Sequence, residues 1–273
     1  MTAASYLEHP YKSIQVSSKD QIVHVNLNRP DKYNALTMDM LSELKSVLAG
    51  LEEDDNSRVL ILSGSGKSFC AGLDLSGPLA EGGKLSNSDQ IRIQRQLSQT
   101  LVSMHRIRQP IIAIAQGAAC GIGLGLLCAA DIRYGSPSLK ANAAFLKIGF
   151  TGCDMGVSYF LPKIVGLTAA NEMMLTGRFY QADKLLARGF LAEIVPETEL
   201  LETARDTAKD MLKATPFGLR MTKEGIRHNL NANSLEAAIA LEDRQQILSG
   251  YSADQERAIM AFLSKSEPNF QDN

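Results

Sequence analysis

The sequence predicts an α/β protein with a core of alternating strands and helices and a helical C-terminal part. Three observations carry this. Two short apolar runs of strand length, Val59–Leu62 and Ile111–Ala115, are separated by segments with a helical apolar period. From Val157 onward the helical period dominates, broken at Gly166, Gly177, Gly189 and Pro196. The 273 residues are 45% hydrophobic and 21% charged, enough for one large core or two modest ones.

The elements follow in order. Residues 11–28 alternate, with Val23, Val25 and Leu27 on one face and Ile22, His24 and Asn26 on the other. This predicts a hairpin turned at Ser17-Ser18-Lys19-Asp20 and ended by Pro30. Thr37 is the expected N-cap of a helix over Met38–Leu51, whose apolar face is Leu41, Leu44, Val47, Leu48 and Leu51. Val59–Leu62 reads as a buried strand. Residues 76–90 are rich in Gly, Ser and Asn and predict a mobile surface loop. An amphipathic helix is expected over Ile91–Ile107, a buried strand over Ile111–Ala115 and a helix over Ile122–Ala130. A mixed stretch runs from Asp131 to Gly156. There is no sequence repeat and no low-complexity tract.

Composition excludes several classes. The 28 Lys and Arg against 30 Asp and Glu leave a net charge of −2, so no basic face invites nucleic acid. The four cysteines, Cys70, Cys120, Cys128 and Cys153, form no CxxC pair, which predicts buried free thiols in a reducing compartment. Met1–Pro10 has no basic segment followed by an apolar one, so no secretory leader and a cytoplasmic location are expected. Ile111–Ala130 runs 20 residues without a charge, the length of a membrane span, but it holds four Gly and a Gln. A buried strand, a tight turn and a helix start account for it better.

Several motifs are imitated but incomplete. Gly64-Ser65-Gly66-Lys67-Ser68 resembles the end of a phosphate-binding loop, yet Ile61 stands where its first Gly belongs. Gly121-Ile122-Gly123-Leu124-Gly125 imitates a dinucleotide fingerprint, yet Leu126 occupies the third Gly position and no acid follows about 20 residues on. His9, His24, His105 and His228 show no metal-ligand spacing, and no G-x-S-x-G elbow occurs. No metal site is expected. What remains is two Gly-rich turns, Phe69–Leu75 and Gly117–Gly125, each following a buried strand. Such turns either pack strands closely on helices or aim backbone N–H groups at one oxygen, as an oxyanion hole does.

The chain resembles the crotonase superfamily, the enoyl-CoA hydratase/isomerase family. The matching segments are Leu27–Leu36, Phe69–Leu75, Gln109–Ala113 on through Gly117 to Tyr134, Leu161–Gly166, Leu175–Arg178, Gly189–Pro196 and Lys223. Their order and spacing match over roughly residues 12–270. The resemblance implies a spiral of repeated strand-strand-helix units over 1–200 that carries an acyl-CoA site. It implies a helical C-terminal trimerisation region over 201–273 and a homotrimer or dimer of trimers. It implies an acyl-CoA thioester as ligand, whose oxygen lies between the N–H groups of Leu73 and Ile122, the latter beside Gly121. Ala35, Ala71, Asp74 and Leu75 match segments lining adenine and pantetheine. Lys32 matches a position near the CoA phosphates. Phe262 and Lys265 match a stretch that reaches CoA, often from a neighbouring subunit. No cofactor is implied beyond the coenzyme A of the substrate.

Two departures shape the chemistry. Hydratases of this family carry one Glu where Gly125 stands and another at about Phe145, and both carboxylates are missing here. One acid is left nearby, Asp154, at the place of a catalytic Asp in dienoyl-CoA isomerases and, with similar spacing, in chlorobenzoyl-CoA dehalogenases. Asp154 is either a proton carrier or nucleophile, or the cap of a turn before Gly156. Tyr159 is either an assisting phenol or a packed ring. The expected reaction is 2-enoyl-CoA hydration or double-bond isomerisation. The alternatives are hydrolysis or dehalogenation with Asp154 as nucleophile, and acyl-CoA binding without turnover.

Overall fold

A computed structural model describes residues 5–76 and 86–272. After a short helix α1 (Ser5–Glu8), strands β1 (Ile14–Lys19) and β2 (Ile22–Leu27) form an antiparallel hairpin. The turn falls at Asp20 and Gln21, both at positive φ, rather than at Ser17–Asp20. Ser17, Ser18 and Lys19 instead extend the ladder opposite His24, Val23 and Ile22. Two left-handed residues give the turn a twist that matches the strands.

Helix α2 (Met38–Glu52) starts as expected, with Thr37 Oγ1 accepting from Met40 N at 3.2 Å. β3 (Val59–Gly64) is buried along its whole length. α3 (Asn87–Arg106) begins four residues before Ile91, because Ser86 caps it by accepting from Asp89 N at 3.2 Å. The N-terminal part of this helix lies within the expected 76–90 loop. The loop's middle, 77–85, lies outside the described residues. β4 (Ile111–Ala115), β5 (Ala118–Cys120) and α4 (Ile122–Ala129) follow. The mixed stretch resolves into β6 (Ile132–Gly135), β7 (Lys140–Asn142) and a 3-10 turn over Ala144–Ile148. Then come α5 (Val157–Val165), α6 (Leu167–Thr176), β8 (Tyr180–Gln181), α7 (Ala182–Ala187), β9 (Glu193–Ile194) and α8 (Leu200–Leu212). The chain ends in α9 (Pro216–Asn229), α10 (Leu235–Ser249) and α11 (Ala253–Ser264).

A six-stranded sheet runs β1-β2-β3-β4-β6-β9, parallel except for the hairpin. A second ladder winds beside it. Leu36 bridges Leu73, Cys70 bridges Ala119, and β5 pairs with β7, which pairs with β8. Each turn of chain therefore gives a strand to the large sheet, a shorter one to the second ladder, and then a helix. This is the crotonase-type spiral, repeated in structure without repetition in sequence.

Alternation along the large sheet sorts its residues between two cores. Val23, Val25, Leu27, Leu60 and Leu62 face the helices inside the spiral. Ile22, Val59, Ile61, Ile112 and Ile114 face outward and are covered by Leu200, Ala204 and Ala208 of α8. Burial of both faces explains why β3 and β4 read as continuous apolar runs. α9 is tied to this framework by Lys223, whose Nζ reaches Asp131 Oδ2 at 2.9 Å and donates to the Gln109 carbonyl at 2.8 Å.

Candidate active site

The site begins with backbone geometry. Leu73 and Ile122 each follow a glycine at positive φ: Gly72 at +109° and Gly121 at +53° with ψ −113°. A side chain is strained in either conformation, so glycine is what lets the next peptide N–H turn out of the regular ladder. Leu36 N donates to Gly72 O at 2.8 Å and Asp74 N to Leu36 O at 2.9 Å, which passes over the N–H of Leu73. Ile122 is the first residue of α4, where helix geometry leaves N–H groups unsatisfied. Among the described residues neither N–H has an acceptor.

The two turns adjoin. Cys70 N donates to Ala118 O and Cys120 N to Cys70 O, both at 3.0 Å. A Cβ on Gly72 would lie 3.3 Å from the Cys120 carbonyl oxygen, and one on Gly123 would strike the Cys70 carbonyl. Two free donors, one at a helix N-terminus, on adjoining turns can together stabilise negative charge on one oxygen.

The loop over 29–36 is tied to the same turns. Ala71 N donates to Tyr33 O at 3.0 Å. Asn34, fully buried and left-handed, donates to Ser65 O and Ser68 O at 2.8 Å, and its Oδ1 accepts from Arg29 N at 2.8 Å. Arg29 donates to the Ala35 carbonyl and pairs with Asp74 Oδ2 at 2.9 Å. Gln116 donates to the carbonyls of Gly64, at 2.6 Å, and Gly66, at 2.8 Å. These polar anchors were not singled out from the sequence. The signals were there: an Asn suited to left-handed φ, and a Gln interrupting an apolar run.

The remaining residues expected at the site divide. Ala35, Ala71, Asp74 and Leu75 lie together on the paired 33–36 and 71–75 strips. The carboxylate of Asp74 is already engaged. It accepts from Ser76 Oγ at 2.5 Å, Ser76 N at 3.0 Å and Arg29, and these bonds hold it down to about 2. Lys32 is exposed on the short turn over Pro30–Lys32 and makes no ion pair among the described residues. Phe262, 83% exposed, and Lys265 stand at the end of α11. Among the described residues no hydrogen bond or ion pair joins either side chain to the Gly-rich turns.

No side-chain carboxylate stands at 125 or 145. A Cβ on Gly125 would lie 3.0 Å from both the Cβ and the carbonyl oxygen of Met155. The ring of Phe145 is buried and lies 3.4 Å from where a Cβ on Gly121 would be. Asp154 precedes Met155. Its Oδ1 accepts from Gln94 Nε2 of α3 at 2.6 Å and from Met155 N at 2.7 Å, and its carbonyl accepts from Val157 N at 2.9 Å. The turn expected here is present, with Met155 and Gly156 both left-handed. Oδ2 of Asp154 has no partner among the described residues.

Tyr159 packs its ring edge-on against His105 and Phe160, with 6.2 and 5.0 Å between ring centres. It is 44% exposed, its hydroxyl accepts from Asn231 Nδ2 at 2.8 Å, and Lys163 Nζ lies 3.5 Å from its ring centre. Three of the four free thiols are buried; Cys153 is exposed. Burial pushes Cys70 and Cys128 up to about 12 and Cys120 to about 11, which leaves them protonated and inert.

A family sequence model described as enoyl-CoA hydratase/isomerase matches residues 17–273. A probable enoyl-CoA hydratase of Mycobacterium bovis is 32% identical over 271 residues, covering 98% of this chain and 92% of its own. A 1,2-epoxyphenylacetyl-CoA isomerase of Escherichia coli is 30% identical over 249 residues, covering 91% and 94%. The crystal structure of a probable enoyl-CoA hydratase/isomerase from Mycobacterium abscessus superposes with a TM-score of 0.87 at 30% identity, covering 96% of this chain and all of the other.

Proposed function

The chain belongs to the enoyl-CoA hydratase/isomerase family, and from that membership we propose that it isomerises the double bond of an acyl-CoA thioester with Asp154 as its single proton carrier. The observation that supports this most is the free Oδ2 of Asp154 beside a site with no carboxylate at 125 or 145. Hydration by the family's two-Glu scheme needs two carboxylates to hold water and move its protons. Isomerisation needs one.

The steps balance on one group. The Asp154 carboxylate takes a proton from C2 of a 3-enoyl thioester. The C–H electrons form the C1–C2 double bond of a dienolate, whose charge rests on the thioester oxygen. The N–H groups of Leu73 and Ile122 hold that oxygen. Asp154 returns its proton to C4, the charge moves back and the 2-enoyl thioester is released. No cofactor takes part beyond the coenzyme A of the substrate.

The coenzyme A lies along the strips of Ala35, Ala71, Asp74 and Leu75 near Gly121, with Lys32 toward its phosphates. Phe262 and Lys265 serve a neighbouring copy in a trimer or dimer of trimers. Support for assembly comes from α10, which has no buried residue and exposes Leu235, Ile247 and Leu248. The free thiols favour the cytoplasm.

A second reading is hydration, favoured by similarity to proteins named enoyl-CoA hydratases. Ultraviolet absorbance of the conjugated thioester separates the two. The isomerase raises the band when mixed with a 3-enoyl-CoA and leaves a 2-enoyl-CoA band nearly in place. A fall of the 2-enoyl band signals hydration. An acyl-enzyme detected by mass signals a nucleophilic Asp154, and tight binding with no turnover signals a binding protein.

A further inference from the structure

We infer that Gln94 of α3 is a positioning residue that fixes the Asp154 carboxylate with one oxygen held and the other presented to substrate. The inference rests on the proposed role of Asp154 and extends it to a residue in a different turn of the spiral. Three contacts build the arrangement. Gly125 lacks a side chain, so Met155 seats directly against α4. Met155 and Gly156 are both left-handed and turn the chain there, with Asp154 just before them. Oδ1 of Asp154 then accepts two bonds, from Gln94 Nε2 at 2.6 Å and Met155 N at 2.7 Å. A glutamate at 125 would meet the Met155 backbone, so the missing glutamate and the placed aspartate are two sides of one packing choice.

Two donors on one oxygen remove the rotation that would otherwise average the carboxylate over several orientations. The surroundings leave Gln94 as the side chain that sets this. α4 is wholly apolar from Ile122 to Ala129. On α5, Tyr159 and Lys163 engage each other and Asn231. On α3, Arg92 is paired with Asp89, and Arg95 makes no ion pair among the described residues. Cys153 is the titratable neighbour in the same loop.

The test uses the full chain, with Gln94→Leu to remove the donor and Gln94→Lys to replace it with a charged one. Gln94 is exposed, so both variants are expected to fold, which a thermal melt checks. The Asp154 carboxyl is titrated by carbon NMR in the free enzyme, and the acid limb of kcat/KM is followed with a 3-enoyl-CoA. Gln94→Leu is expected to move both upward and to lower kcat roughly tenfold, with KM within about twofold. Gln94→Lys is expected to move both downward. A residue that merely supports the fold would shift neither, or would shift both variants alike. An unmoved titration in both variants, with Asp154→Asn inactive, overturns the inference and leaves Asp154 standing. Full activity in Asp154→Asn overturns the role of Asp154, and the role of Gln94 with it.

Discussion

At the scale of single residues, the proposed reaction divides its chemistry between two backbone donors, Leu73 and Ile122, and one carboxylate, Asp154. Asp154→Asn keeps the shape of the side chain and removes its ability to take a proton. It should abolish turnover and leave acyl-CoA affinity within a few-fold, measured by calorimetry beside the absorbance assay. Leu73→Pro deletes one N–H and should lower kcat by about 10²–10³. Retained binding of the CoA ester shows that the turn survived the ring, and full activity with binding retained would remove Leu73 from the hole. On the proposed scheme both substitutions separate binding from chemistry, because there neither donor nor acid holds the coenzyme A moiety.

At the scale of elements, the sheet is fixed by apolar alternation and the site by the polar cross-links between turns. Lys223 of α9 is 9% exposed, and its bonds to Asp131 and Gln109 are what join that helix to the start of β4. Lys223→Met keeps the stem and loses the ammonium, which should cost about 1–3 kcal/mol in denaturant unfolding. No change in the midpoint would show that α9 is held by apolar contacts alone. The strands and helices were legible because they obey simple periods: β3 and β4 are doubly buried, and Thr37 caps α2 where expected. The second ladder was not, because β5 and β7 are three residues each and the Leu36–Leu73 and Cys70–Ala119 bridges are single pairs. Such short segments have no period to read. The start of α3 was missed because Ser86 sits in a run rich in Ser and Asn, where loop and cap look alike. Leu73, Ile122 and Asp154 entered through resemblance. From spacing alone the glycines before these two N–H groups read first as packing glycines; the structure adds the positive φ of Gly72 and Gly121 and leaves the N–H groups of Leu73 and Ile122 without an acceptor among the described residues.

At the scale of the whole molecule, stability depends on a histidine far from the chemistry. His24 lies on the outer face of the sheet, and burial, aided by Arg205, pushes it down to about 4. Ser63 donates its proton to Asn26 Oδ1 at 2.8 Å, so the 2.7 Å bond between His24 Nε2 and Ser63 is donated by the imidazole. Unfolded, the ring titrates near 6.5. Between those two values the unfolded chain binds the extra proton, so stability is full above pH 6.5 and falls as the pH drops toward 4. The loss is roughly 3 kcal/mol at most, and His24→Gln should flatten this part of the stability curve. An unchanged slope would assign the acid sensitivity to other groups. The exposed apolar side chains of α9 to α11, among them Ile226, Leu230, Leu235 and Tyr251, predict assembly. Light scattering should give a mass of three or six times 29.6 kDa, and a monomer at micromolar concentration would exclude a site completed by Phe262 and Lys265 of a neighbour. The most direct measurement on the reaction remains the absorbance of a 3-enoyl-CoA mixed with the pure protein and with its Asp154→Asn variant. A rising band in the first and none in the second is the predicted result. A flat trace with wild-type protein that demonstrably binds the thioester, or an equal rise with the variant, would contradict proton transfer by Asp154.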